Sequence, residues 1–147
     1  MRVNMPSWGM LLCLGLWACG DDGNDNKEMS EDNAFTAQAA RGQSLFAEHC
    51  AECHGDSGQG NTAPRLVGLD QGALPREPPE SRNVRDTEFV TAGDVAAFVA
   101  ANMPPGRGGS LSTDEYLAIL AFDLEANGVM LEEELDLARA ESLTIPR

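Results

Sequence analysis

Residues 50–54 read Cys-Ala-Glu-Cys-His, and this run constrains the chain more than any other part of it. Two thiols three positions apart sit on neighbouring places of one helical turn. Each can form a thioether with a vinyl group of one haem, and the next residue, His54, then lies under the iron as its proximal ligand. Two other readings compete. A thioredoxin-like redox pair expects a βαβ surround, and no strand-like run precedes Cys50. Half of a zinc site expects a second Cys pair, yet none exists and the only other His is His49. The residues favour one haem c, attached through Cys50 and Cys53 with His54 on the iron.

The text that follows is more specific. After His54 come Gly55, Gly58 and Gly60 in a Gly-rich turn, then Pro64-Arg65-Leu66; farther on lie Met103-Pro104 and a final helical segment. Ahead of the cysteines, Gly42 and Phe46 fall in one helical stretch. In this order the chain resembles class I cytochromes c over about residues 34–128. The resemblance implies an all-α cytochrome c fold, with three main helices plus loops wrapped around one covalently bound haem. It also implies that the carbonyl of Pro64 accepts a hydrogen bond from the second ring nitrogen of His54, which would fix the ring's tautomer and orientation. Leu66 would pack on the haem face.

A second axial ligand decides whether iron passes electrons or binds small molecules. Met103 stands in Ala-Asn-Met-Pro-Pro-Gly at the close of an apolar helical segment. A residue before proline is pushed out of the α conformation, so the chain must turn there. The family places its axial Met in this same Met-Pro step, making His54 and Met103 the expected metal ligands. Met29 falls in a polar stretch and Met130 beyond a helix end. His49 is too close to Cys50 in sequence to reach the opposite face, and reads as a partly exposed helix residue.

Periodicity supplies the frame. Phe35, Ala39, Gly42 and Phe46 share one helical face. Gly42 costs about 1 kcal/mol against Ala inside a helix, which makes sense where another backbone crosses closely. The crossing partner is expected to be the last helix, opened by the Ser112-x-x-Glu115 capping box. Leu117, Leu120, Ala121 and Leu124 share its face, and Gly128 closes it. By resemblance, Phe122 stands at the crossing. A third helix opens at Thr91-Ala92-Gly93-Asp94, carries Val95, Phe98 and Val99, and ends at Met103-Pro104. Between the first and third helices runs a long loop, about residues 67–88, with Pro75, Pro78 and Pro79; a bound macrocycle explains so long an irregular stretch. It also offsets an aromatic content of only 5%. Arg65, Arg76, Arg82 and Arg85 lie where haem propionates are expected, but exposed loop arginines fit equally well. Residues 129–147 read as an acidic extension, either a short amphipathic helix with Leu131, Leu135 and Ala138 packed on the domain, or a partner-binding tail.

The N-terminal region carries a different message. After Arg2 no charge occurs through Cys19, and Trp8 to Ala18 is an unbroken apolar stretch. That is short for a membrane span and matches a secretory core. Ending in Leu16-Trp17-Ala18-Cys19, it resembles a bacterial lipoprotein signal: residues 1–18 are expected to be removed and Cys19 lipidated. Residues 20–33 are acidic and nearly without apolar side chains, a solvated tether. These features predict an exported chain, lipid-anchored to a bacterial membrane and facing the periplasm. Gly20 rather than Asp follows Cys19, so inner and outer membrane both stay open.

Formal net charge is −14, from 10 Lys+Arg against 24 Asp+Glu, which excludes nucleic acid as a natural partner. Lys27 is the only lysine, so the lysine ring through which many soluble relatives dock is missing. A basic or apolar partner face is expected instead. With His and Met both on iron, no position is open for oxygen or peroxide chemistry. The expected role is a membrane-anchored one-electron carrier between redox protein partners, not an enzyme. A cytochrome subunit of a dehydrogenase or oxidase, or a haem-based ligand sensor, stands as the alternative.

Overall fold

The computed structural model describes residues 33–73, 76–80 and 85–146. The expected leader, Cys19, Lys27, Met29, Pro75 and Arg82 lie outside the described residues. Among the described residues five helices follow in order: α1 (Ala34–His49), α2 (Ala51–His54), α3 (Ala92–Asn102), α4 (Thr113–Ala126) and α5 (Leu137–Ser142), with one 3-10 turn at Leu69–Gln71. Among the described residues the only β contact is a single antiparallel bridge between Thr91 and Thr144. The fold is all-α.

Each long helix starts where a side chain can take up its free N–H groups. Thr91 and Asp94 form a reciprocal capping box on α3, as do Ser112 and Glu115 on α4. Both carboxyl groups are held below the usual carboxylate range, chiefly by the backbone N–H groups they accept from. Asn33, read from sequence as the last residue of a solvated tether, instead caps α1: its Oδ1 accepts from the Thr36 N–H at 2.9 Å. Its amide also donates to Leu131 O at 2.7 Å. A short polar residue beside a helix start looks the same in sequence whether it belongs to the tether or the cap.

Helix α1 crosses α4 at Gly42. A Cβ at this position would overlap the carbonyl of Ala118, so only glycine permits the approach. One helical turn on, Phe46 meets Phe122 with ring centroids 5.1 Å apart and planes tilted by 51°. Two apolar clusters result. The larger gathers Phe35, Ala39, Val95, Leu117, Leu120 and Leu124. The smaller is Phe46, Ile119 and Phe122, with Cys50, Ala51 and Leu66 packed against it.

The segment after Gly128 completes the larger cluster. Leu135, Ala140 and Ile145 are buried in it beside Phe35 and Leu124. Gln38 of α1 holds the segment with both ends of its amide, donating to Leu135 O at 2.9 Å and accepting from Leu135 N at 2.8 Å. Ile145 N donates to Val90 O and Ala92 N to Leu143 O, which ties the chain end to the start of α3. The segment is therefore packed on the domain, but not as the single helix that Leu131, Leu135 and Ala138 suggest. Leu131 and Leu135 precede α5, and within α5 Ala138 is exposed while Ala140 is buried. Helix α4 ends at Ala126, and the chain beyond Gly128 packs into the same core.

These contacts generate two expectations for stability. Gly42→Ala gains about 1 kcal/mol of helix propensity but forces apart a packed crossing, at about 1–3 kcal/mol or more. Urea unfolding is expected to show net destabilisation. Gln38→Ala strands the buried N–H and C=O of Leu135, each worth about 1–3 kcal/mol when unpaired. The loss of unfolding free energy is expected to exceed that of an exposed-site control on the same helix, Gln43→Ala.

Candidate haem-attachment site

The attachment run begins where α1 ends. Cys50 N still donates to Phe46 O at 2.8 Å, so α1 hands its direction to α2, a single turn holding Cys53 and His54. Gly55, at φ +82°, reverses the chain. The following loop folds back over α2: Gly60 N donates to His54 O at 2.7 Å and Ala63 N to Cys53 O at 2.9 Å. That return brings the carbonyl of Pro64 to 2.7 Å from Nδ1 of His54. A carbonyl can only accept, so Nδ1 carries the proton and Nε2 keeps its lone pair for a metal.

Both thiols are free and half-buried. The Cys50 thiol is pushed up to about 11, first by burial, then by the charge of Asp123 and by Cys53. Reactive redox pairs depend on the opposite shift, toward thiolate. Among the described residues no group of three or more His, Cys, Asp and Glu side chains could hold a metal ion. Neither the thioredoxin-like nor the zinc reading finds support in this geometry.

Met103 arrives on a separate element. It ends α3, with its N–H donating to Val99 O, and its carbonyl accepts from the Tyr116 hydroxyl of α4 at 2.8 Å. The turn after it is tied back to α3 by Gly109 N donating to Ala100 O. Met103 is half-buried, whereas Met130 is exposed on the C-terminal segment. His49 closes α1, with Nε2 3.8 Å from the Glu48 carboxylate. Leu66 is placed by Asn127, whose amide donates to Leu66 O at 2.8 Å and accepts from Gly68 N at 2.9 Å.

The loop arginines serve the loop itself. Arg85 is buried, lies 3.6 Å from the centre of the Phe89 ring and donates to the carbonyls of Arg76, Glu77 and Thr87. Arg76 donates to Phe89 O and pairs with Glu88 at 3.2 Å. Arg65 donates to Val67 O.

Sequence reasoning missed Tyr116, Asn127 and Asp123. Asp123 had a visible signal: four residues from Ile119 and three from Leu120, it falls on the buried face of α4. It is 6% exposed, and its Oδ1 has no hydrogen-bond partner. Burial pushes its carboxyl up to about 7.

Comparison with known proteins agrees with this geometry. Residues 37–122 match the family model described as cytochrome c oxidase, cbb3-type, subunit III. The chain belongs to this cytochrome c family. It is 35% identical over 92 residues to a thiosulfate dehydrogenase of Stutzerimonas stutzeri (strain A1501), covering 56% of this chain and 25% of that protein. Among solved structures it is similar to the sulfane dehydrogenase SoxCD from Paracoccus pantotrophus. There the TM-score is 0.55 and identity 33%, over 74% of this chain and 53% of that one. The chain thus spans about a quarter of the first relative's length and about half of the second's.

A cytochrome c domain implies haem c and electron transfer, and the residues present fit that group. Two unpaired thiols share one helical stretch, an imidazole keeps a free Nε2, and Cys50 packs against the apolar cluster of Phe46, Ile119 and Phe122, as does Leu66.

A pH dependence follows from Asp123. Its folded-state value is raised, so the folded protein holds this proton more tightly than the unfolded chain does. Stability from this group is complete below about pH 4 and falls as pH rises through about 7. A displacement that large is worth about 4 kcal/mol at most. Unfolding free energy of the wild type is expected to fall between about pH 4 and 8. Asp123→Asn is expected to flatten that slope in denaturant titrations.

Proposed function

We propose that this chain is a one-electron carrier whose single haem c is joined to Cys50 and Cys53 and held on its iron by His54 and Met103. The observation that supports this most is the 2.7 Å contact between His54 Nδ1 and Pro64 O, which leaves Nε2 as the free metal-binding atom. The bound haem supplies reversible one-electron exchange at iron, and two protein ligands keep that exchange free of substrate chemistry. The chain's own residues do the positioning. Pro64 O orients the His54 ring, Tyr116 restrains the Met103 backbone, and Phe46, Ile119 and Phe122 exclude water beside Cys50.

The donor and acceptor are redox proteins, and the chain performs no substrate chemistry of its own. Export and a lipid on Cys19 hold it at a bacterial membrane on the periplasmic side, with residues 20–32 as leash. Several acyl chains anchor stably where one does not.

A second reading is favoured by the relatives: the domain is the cytochrome component of a dehydrogenase, with the chemistry on another chain. Thiosulfate dehydrogenase and sulfane dehydrogenase are both dehydrogenases by name. Co-purification with a catalytic subunit favours this reading; isolation as a free lipidated monomer favours the carrier.

The ligand assignment is tested by optical spectra of the ferric protein. The far-red Met–iron charge-transfer band is expected in the wild type and in Met130→Ala, and absent in Met103→Ala. The reduced wild type is expected to bind carbon monoxide poorly. Ready binding would point to a ligand sensor, and an unaltered band in Met103→Ala would remove Met103 from the iron.

A further inference from the structure

We propose that Asp123 is the proton-accepting partner of the haem, taking up one proton when the iron of the haem joined to Cys50 and Cys53 is reduced. This rests on the haem reading above. Three observations on position carry it. Asp123 lies inside an otherwise apolar run of α4, in the residue after Phe122 and one helical turn from Ile119, and both of these pack with Cys50, Ala51 and Leu66. Asn127, one turn further, donates to the backbone carbonyl of Asp123 at 2.7 Å and to that of Leu66 at 2.8 Å, so one amide joins the helix backbone at Asp123 to the Leu66 loop. Its side chain is buried, and one carboxyl oxygen has no partner at all.

A buried carboxylate without partner is costly to keep charged, so the acid is poised between its two states. Its charge reaches the attachment turn, where it helps to raise the Cys50 thiol. The other ionisable groups on the packed elements do not compensate it. From the attachment turn come Cys50 and Cys53, neutral once they carry thioethers, the exposed carboxylate of Glu52, and His54, whose ring donates to Pro64 O. From α1 come Arg41 and the His49–Glu48 pair, from the loop Arg65, which donates to Val67 O, and from α4 itself Glu115 and Glu125. Among the described residues none of them makes an ion pair with Asp123.

The balance is simple. Ferric iron in a porphyrin dianion leaves one net positive charge at the haem core, and ferrous iron leaves none. One electron enters from the donor protein, one proton enters from water to the Asp123 carboxylate, and no bond to iron changes. Losing a positive charge beside a carboxylate raises its affinity for a proton. By linkage, the proton must then favour the electron in return. Raising pH therefore disfavours reduction.

The test is a redox titration of the lipidated or detergent-solubilised holoprotein from about pH 5 to 9, spanning the raised carboxyl range of Asp123. In the wild type, the ratio of reduced to oxidised protein at fixed potential is expected to fall by up to tenfold per pH unit near neutrality, about 59 mV for one electron. Asp123→Asn is expected to flatten this window, and Asp123→Glu to restore it. The remaining weak dependence would belong to the haem propionates. A wild-type potential that does not move with pH, or a slope that survives in Asp123→Asn, overturns the proposal. Should the variants not fold, redox-difference infrared spectra of the wild type read the same event. A protonated-carboxyl band that grows on reduction at the frequency of a buried carboxyl supports it; no band, or one at the frequency of a solvated propionate, contradicts it. Failure of the haem reading itself shows differently, as a protein with no covalent haem spectrum at all.

Discussion

The close approach of Gly42 to the Ala118 carbonyl fixes the relation between α1 and α4, and the site is built outward from it. Because α1 runs directly into Cys50, the angle of the crossing decides where the cysteines and His54 point. Phe46 and Phe122, one turn from the crossing, then form the apolar wall beside Cys50. Helix α4 supplies three further residues that bear on the site. Tyr116 restrains the Met103 turn at one end, Asn127 restrains the Leu66 loop at the other, and Asp123 lies between. A single helix thus sets the geometry of elements that are far apart in sequence.

The C-terminal segment matters for the same reason. The larger core cluster lies behind the α1–α4 crossing, and Leu135, Ala140 and Ile145 close it. Without them Phe35 and Leu124 would face water. The two-ended hydrogen bond between Gln38 and Leu135 makes this closure specific, since a buried amide accepts only a backbone presenting both a donor and an acceptor at the right spacing. Charge is managed in a similar way. Arg85 is buried against Phe89 but satisfied by backbone carbonyls, so it orders the loop. Asp123 is buried without such satisfaction, and it is the group whose charge can change at low cost.

Much of this was legible in the sequence where local rules apply. The two capping boxes, the helix stop at Met103-Pro104, the Gly42 crossing and the Phe122 contact all follow from spacing or from the family pattern, and the fold class follows with them. The attachment run is local by nature, since Cys50, Cys53 and His54 lie within five residues. What escaped was what long-range packing decides. Asn33 looks like tether until Leu131 returns to meet it. Tyr116 and Asn127 look like ordinary α4 residues until loops from other parts of the chain reach them. The 129–147 segment misled because its apolar residues serve an irregular strap as well as a helix, and strap contacts have no period. Asp123 sat in plain view on a buried helical face, but a lone acid there is only informative once its lack of a partner is known.

The central claim is a haem held covalently by two thioethers in a protein of the cytochrome c family. Acid-acetone extraction of the purified protein tests it most directly, followed by an alkaline pyridine spectrum and the mass of the precipitated polypeptide. The account predicts a red pellet with a c-type spectrum, and a polypeptide heavier by one haem, with that mass lost in the Cys50→Ala, Cys53→Ala double variant. A colourless polypeptide of unmodified mass, with all pigment in the acetone, would contradict it.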